Sequence, residues 1–375
     1  MVAGYAAKEA VEGGLKPGQL AIVSADQALP YERPPLSKSL LAGKDNELSV
    51  LINNESFYRE HGIDIHLNLQ IQRIDLSEKR LLGKSGQEFG FQKLILATGA
   101  RVRTLDAAGA DRGNVLYLRS LSDSVRLRDA LKSAKKVAVV GASFIGMEVA
   151  SQSAQQGRET ALVFPQDRVW KSFFTPEMSR FFEKYYQDRG VRLVPGAQVA
   201  GIGEGSVSLS SGAKLDVDLV VAGVGVMPVT DIAEAAGLRA NNGIWVNQFL
   251  ETSAPGVYAA GDMARYQDVL TGKHRRLEHW DNAVKQGQYL ARRLRGEMEP
   301  FKNIPYFFSD VFDLSYEFWG STEGAERTEY RGDVNSSSFS AWWFKGDSLV
   351  AAFAMNRPDA EREAASRLVP MDRPA

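Results

Sequence analysis

Lys136-Val-Ala-Val-Val140, then Gly141-Ala-Ser-Phe-Ile-Gly146, then Met147-Glu-Val-Ala-Ser151 is the stretch on which the fold of this 375-residue chain turns. An unbroken apolar run rich in β-branched residues predicts a strand buried on both faces of a parallel sheet. Beyond the second glycine, Met147, Val149 and Ala150 fall at helical spacing. The glycines match a G-x-G-x-x-G turn except at the middle position, where Ser143 stands. Gly141 allows a tight turn, Gly146 allows close helix–strand packing, and the helix N-terminus offers free N–H groups to a pyrophosphate. About twenty residues on, where a second strand is due, comes Thr160-Ala-Leu-Val163, so the unit reads as βαβ. A structural turn without a ligand is the competing reading.

That second strand runs into Phe164-Pro-Gln-Asp-Arg168. Gln166 or Asp167 can bond ribose hydroxyls, whereas Arg168 can take a 2′-phosphate; the balance leans to NADH. Two other segments share this grammar. Met1 to Gly14 reads as a helix ended by Gly13-Gly14 and followed by the strand Leu20-Ala-Ile-Val23, the second half of a βαβ unit. Gly256-Val-Tyr-Ala-Ala-Gly261-Asp262 is a strand entering a glycine turn, whose carboxylate can accept bonds from a polyol. Leu94-Ile-Leu96 enters Ala97-Thr98-Gly99, and Leu219-Val-Val-Ala222 enters Gly223-Val-Gly225. In Leu29-Pro-Tyr-Glu-Arg-Pro-Pro-Leu-Ser-Lys38 the prolines predict a stiff extended turn. Such a turn holds Arg33 and Lys38 as an anion clamp, or is simply a solvated loop. From about Pro300 the texture becomes aromatic. Ser337 to Phe344 and Ser348 to Phe353 read as antiparallel strands, and Asp359 to Leu368 as a terminal helix.

Composition narrows the chemistry. There is no cysteine, which removes thiolate metal sites, iron–sulfur ligation and a redox disulfide in this chain. His61, His66, His274 and His279 are not spaced as ligands, so no metal is expected. Lys plus Arg total 45 against 46 for Asp plus Glu, leaving no global field for nucleic acid or an anionic membrane. No apolar stretch has the roughly 18 residues of a spanning helix, and no secretory or transit pattern is present, so the expected compartment is cytoplasmic. With 44% hydrophobic residues the chain can build a core, and its length suggests two or three domains.

The ordered combination of these segments resembles the two-nucleotide flavoprotein reductases of the pyridine nucleotide-disulfide oxidoreductase superfamily. That group spans ferredoxin and rubredoxin reductases, apoptosis-inducing factors and monodehydroascorbate reductases. The likeness to the last covers most of the chain: Ala3-Gly-Tyr-Ala-Ala-Lys-Glu9, Leu15-Lys-Pro-Gly18, Pro30-Tyr-Glu-Arg-Pro34, Leu36-Ser-Lys38, Glu251-Thr-Ser-Ala-Pro-Gly-Val-Tyr258, Arg276-Leu-Glu-His279, Pro305-Tyr-Phe-Phe-Ser309 and Phe312-Asp-Leu-Ser315. It implies an α/β fold with two Rossmann-like dinucleotide-binding domains and a C-terminal α+β domain. The FAD domain would take residues 1–113 and 239–299, the NAD(P) domain 114–238, and the C-terminal interface domain 300–375.

It also implies FAD and NAD(P)H, and positions for each. Asp26 would meet the adenosine ribose, and Arg33, with Ala3 and Gly4, the pyrophosphate end. Asp262 would hold the ribityl chain near Ala97, Thr98 and Gly99. Glu278, His279 and Trp280 would line the isoalloxazine with Phe308. Lys38, near flavin N5, would pair with Glu148 as the catalytic couple. Gly141, Ala142, Ser143, Phe144, Ile145, Gly146, Glu148 and Gly225 would lie along NAD(P)H, with Gln166 and Asp167 at its ribose. A buried lysine beside the flavin is tolerable when a carboxylate neutralises it; a structural salt bridge is the alternative.

Three departures qualify the likeness. The chain starts inside the FAD fingerprint, without the family's preceding strand and glycines. A start placed at an internal methionine is the expected explanation, poor FAD binding the other, and a raw sheet edge the expected result. Val284 stands where monodehydroascorbate reductases have an arginine, and Phe308 where they have a tyrosine. Loss of a cation and a hydroxyl turns the expected acceptor toward a small iron–sulfur protein of the ferredoxin or rubredoxin type. A quinone or the ascorbate radical comes next, and a redox-controlled binding flavoprotein like the apoptosis-inducing factors is the alternative of another class. Lys273-His-Arg-Arg276 and Arg292-Arg-Leu-Arg295 would steer an acidic partner or be plain solvated surface. The tail is expected to pack over the flavin in a monomer or homodimer, with Trp342-Trp343 as sheet packing.

Overall fold

In the computed structural model, which describes residues 1–367, the predicted βαβ unit is strand Lys136–Val140, helix Phe144–Gln155 and strand Glu159–Val163. Val137 to Val140 are all buried, as a strand covered on both faces requires. Five parallel strands lie in the spatial order Val191–Val194, Glu159–Val163, Lys136–Val140, Leu219–Ala222, Val115–Tyr117. The chain enters at the Val115–Tyr117 edge and crosses through helix Leu121–Ser133 to Lys136–Val140. That crossover leaves a slot that Leu219–Ala222 fills later. The strand order therefore reverses beside Val140, where a crevice opens at the carboxyl ends of the strands. A capping box starts the crossover helix: the Asp123 amide donates to the Ser120 hydroxyl, and the Ser120 amide donates to the Asp123 carboxylate at 2.8 Å.

The flanking region holds two separate parallel pairs, Ala21–Val23 with Asp64–His66 and Leu94–Leu96 with Val257–Ala259. No ladder joins the two pairs among the described residues. Helix Val2–Glu12 covers this region by packing on helix Trp280–Leu294. Their approach is close, because a Cβ on Gly287 would stand 2.6 Å from the Val2 carbonyl oxygen.

The C-terminal part is a five-stranded antiparallel sheet ordered Tyr306–Val311, Leu314–Gly320, Ser348–Met355, Phe339–Lys345, Arg327–Gly332. Helix Asp359–Arg367 follows; Leu368, assigned to it from sequence, lies outside the described residues. The first two strands in chain order are legible in the sequence only as aromatic texture, because Tyr306–Val311 and Leu314–Gly320 carry aromatic residues on both faces, and Arg327–Gly332 has no sequence counterpart among the expected strands. Trp342 and Trp343 are buried in the sheet, as expected. Trp170, Phe174 and Phe182 meet Tyr316 and Phe353 in one aromatic cluster that welds this sheet to the nucleotide domain.

Candidate active site

The glycine turn is shaped by sterics. Gly141 has φ +110°, and a Cβ there would lie 3.0 Å from the Gly223 carbonyl carbon and nearer its oxygen. A Cβ on Gly146 would come 2.8 Å from the Gly141 carbonyl carbon, again nearer the oxygen. Both obstacles are backbone, so neither position accepts a side chain without moving a strand or helix. Ser143 caps the helix at an ordinary φ of −107° and spends no side-chain bond on it, which explains why serine is tolerated at the middle position. The cradle and the helix N-terminus fit a dinucleotide pyrophosphate. Gly225, at φ +97°, sits on the same rim and accepts the Arg103 amide at 2.9 Å. Gln166 and Asp167 are exposed at the end of Glu159–Val163. Asp167 pairs with Lys171 at 3.0 Å and Arg168 at 3.7 Å. The Lys171 hydrogen bond holds its carboxyl below the usual range.

Deeper in the crevice three distant parts of the chain converge. Lys38 Nζ lies 2.5 Å from Glu148 Oε1, with side chains 13% and 4% exposed. Ser309 Oγ donates to the same oxygen at 2.5 Å, and the Ser37 hydroxyl donates to Oε2. Phe308 lies below the ammonium, its ring centroid 5.5 Å from Nζ. Lys38 comes from the proline turn, Glu148 from the second turn of the helix after Gly141, and Ser309 from the C-terminal sheet. The proline turn differs from expectation. Pro34–Ser37 is a short 3-10 helix, with Arg33 itself in the right-handed helical region. Proline's fixed φ suits the first helical positions, where its missing N–H costs nothing.

Phe144 packs on Phe307 at 4.6 Å, and Phe307 stacks on His279 at 5.1 Å. Burial pushes the His279 imidazole down to about 4, so it is neutral near pH 7. The Trp280 indole N–H donates to Glu32 at 2.5 Å, and its ring meets Phe308 edge-on at 5.9 Å. Glu278 turns away to pair with Arg276 at 2.6 Å. Beside this aromatic strip Asp262 binds Arg119 at 2.7 Å, and the Arg33 guanidinium donates to the Arg119 carbonyl. Burial and the adjacent Arg119 charge lower the Arg33 guanidinium pKa. Arg119 Nε is buried without a hydrogen-bond partner. Two neighbouring guanidiniums with an unspent donor fit a pyrophosphate anion.

The Gly261 amide, at φ +81°, donates to Gln286 at 2.7 Å, and Thr98 donates to the Val229 carbonyl at 2.6 Å. Ala97 and Gly99 flank Thr98, and a Cβ on Gly99 would stand 3.3 Å from the Arg119 guanidinium. Asp26 accepts the Tyr31 hydroxyl at 2.9 Å and the Ala28 amide at 3.1 Å. Gly4 is spent on packing, since a Cβ there would meet Pro30 at 2.8 Å, and Ala3 packs into the cluster around Ala7 and Ile22.

Sequence reasoning missed Ser37, Ser309, Glu32 and Arg119. The two serines lie inside quoted motifs, while Arg119 carries no local signal. The basic runs are largely occupied: Lys273 pairs with Glu323, Arg275 with Asp268, Arg276 with Glu278, Arg292 with Glu9 and Glu297, and Arg295 with Glu9. Val284 is buried. Among the described residues no group of three acidic or histidine side chains is arranged for a metal, and no helix is long and apolar enough to cross a membrane.

Known proteins resemble the chain over nearly its whole length. Residues 2–287 match the model of the pyridine nucleotide-disulphide oxidoreductases, and residues 306–373 match the reductase C-terminal domain. The chain is 33% identical to a monodehydroascorbate reductase of Solanum lycopersicum, over 100% of this chain and 93% of that protein. It is 31% identical to putidaredoxin reductase of Pseudomonas putida, over 91% and 83%. A ferredoxin reductase from Rhodopseudomonas palustris superimposes with a TM-score of 0.92 at 36% identity, covering 97% of this chain and 90% of that one. The covalent putidaredoxin reductase–putidaredoxin complex gives 0.94 at 29%, covering 98% and 91%. With a glycine cradle opening the helix that carries Glu148 and a lysine paired with that carboxylate, the chain belongs to the pyridine nucleotide-disulphide oxidoreductase family, as an FAD-dependent NAD(P)H oxidoreductase.

Proposed function

We propose that this oxidoreductase draws electrons from NADH at the Gly141–Gly146 turn and delivers them to a small ferredoxin-type iron–sulfur protein. The observation that carries the reading is the buried Lys38–Glu148 pair, which sits between the nucleotide turn and the aromatic strip. Bound flavin supplies the conversion between a two-electron donor and a one-electron acceptor. The protein's part is to bind, orient and shield. Arg33 and Arg119 hold the pyrophosphate, and Asp262 holds the polyol. Lys38 keeps a positive charge where negative charge develops, and Glu148 makes that buried ammonium tolerable. Neutral His279, Phe307, Trp280 and Phe308 form an uncharged wall that excludes water.

Asp167 supports NADH, because an ionised carboxylate accepts ribose hydroxyls and repels a 2′-phosphate. Residues 1–113 with 239–299, 114–238 and 300–375 are the domains we assign to FAD, nucleotide and interface. The chain has no cysteine to relay electrons, so the onward path would need no disulfide in this chain. Val284 and Phe308 support an iron–sulfur acceptor over the ascorbate radical. The identity to plant monodehydroascorbate reductases favours that radical as the second reading. NADH-dependent reduction of a [2Fe–2S] ferredoxin, run beside reduction of enzymatically generated ascorbate radical, decides between them. Faster turnover with the radical would refute the proposal.

A further inference from the structure

We propose that Ser309 is a positioning residue through which the C-terminal sheet holds the Lys38–Glu148 pair in its working geometry. The inference rests on the reading of that pair as the group beside the flavin in an FAD reductase. Strand Tyr306–Val311 alternates in burial, with Phe307, Ser309 and Val311 on the covered face. Between two large apolar neighbours a serine that is 0% exposed is costly unless its hydroxyl is bonded. The Ser309 hydroxyl donates to Glu148 Oε1, the oxygen that also takes the Lys38 ammonium. Ser37 occupies Oε2, so the carboxylate is held by donors from three directions and its rotamer is fixed.

A second tie joins the same segment to the same helix. The Phe312 amide donates to Ser151 Oγ at 2.6 Å, and Ser151 lies one turn beyond Glu148 on the same helix face. The two ties do different work. Ser151 bonds backbone and fixes where the segment sits. Ser309 bonds the carboxylate and fixes where its charge points. Without Ser309, Oε1 keeps only Lys38, the carboxylate can rotate, and the ammonium can move over the Phe308 ring.

The experiment compares wild type, S309A, S309T and S151A as flavin-loaded proteins. Stopped-flow reduction by NADH is followed across NADH concentration, and the flavin midpoint potential is measured by redox titration. For S309A we expect reduction about tenfold slower, the size of one hydrogen bond to a charged group. Its potential should fall, because the Lys38 charge is no longer held in place. S309T, which keeps the hydroxyl, should restore both. S151A should leave the potential where wild type has it. An unmoved potential in S309A, an equal fall in S151A, or a well-folded S309T without restoration overturns the proposal. If S309A does not fold, S309C, whose thiol is a weak donor, is judged by the same criteria. If the wild type is reduced by neither NADH nor NADPH, the reading of the pair as the group beside the flavin fails instead.

Discussion

Replacing Gly146 with alanine sets two physical rules against each other. Gly146 is the third residue of helix Phe144–Gln155. By propensity alone, alanine in a helix is worth up to about 1 kcal/mol over glycine. The tertiary contact says the reverse. The new methyl would lie 2.8 Å from the Gly141 carbonyl carbon and nearer its oxygen, where ordinary contact begins at 3.4 Å. Gly141 cannot yield, because its own approach to Gly223 is backbone against backbone. The helix must therefore retreat by roughly 1 Å, a displacement large enough to cost about 10²-fold in a positioned reaction. Glu148 rides on that helix two residues further on, so its contacts with Lys38, Ser37 and Ser309 loosen together. Weakening such a buried pair costs up to about 3–5 kcal/mol when one partner is lost, and a strained pair loses part of that. We expect G146A to raise the KM for NADH about 100-fold, to slow flavin reduction, and to lower stability by about 1–3 kcal/mol. Stopped-flow reduction and urea unfolding measure both. A G146A protein with unchanged KM and higher stability would show that the cradle argument is wrong.

Three further outcomes follow from single contacts. K38A leaves the Glu148 carboxylate with hydroxyl donors only and should slow NADH reduction of the flavin about 10²-fold; an unchanged rate removes Lys38 from the chemistry. R119A strips Asp262 of its partner at 2.7 Å and should weaken flavin retention, read as colour lost on gel filtration, whereas full retention would take Arg119 out of the cofactor site. His279 titrates near 4 when folded against 6.5 unfolded. A depressed histidine pKa gives stability that is full above the unfolded value and lost as pH falls toward the folded one, a loss of roughly 3 kcal/mol between about pH 6.5 and 4. H279F should flatten that part of the stability profile in urea titrations, and an unchanged slope would place the effect on other groups.

Local chemistry carried much of this protein. The run Lys136–Val140 had to be a buried parallel strand and Gly146 a glycine, because covalent geometry and packing against Gly141 five residues back suffice to say so, whereas the backbone that bars a side chain at Gly141 comes from Gly223. The motif order carried the family and placed Lys38 with Glu148 before any coordinate did. What local rules decided badly were features whose energy comes from elsewhere. Pro34-Pro35 became a 3-10 turn because the surrounding core accepts its helical φ. Tyr306–Val311 and Leu314–Gly320 could not be read as strands, since aromatics on both faces hide the period of two. The basic runs looked free until their carboxylates arrived from Glu9, Asp268 and Glu323. Arg119 reached Asp262 across 143 residues, and Ser309 reached Glu148 across 161. Sequence determined the strands, the turns and the lineage, for these depend on residues a few positions apart. Only the tertiary structure decided which hydroxyls and guanidiniums complete the site, because a buried charge is satisfied by whichever donor packing brings within about 3 Å, however far away it stands in the chain.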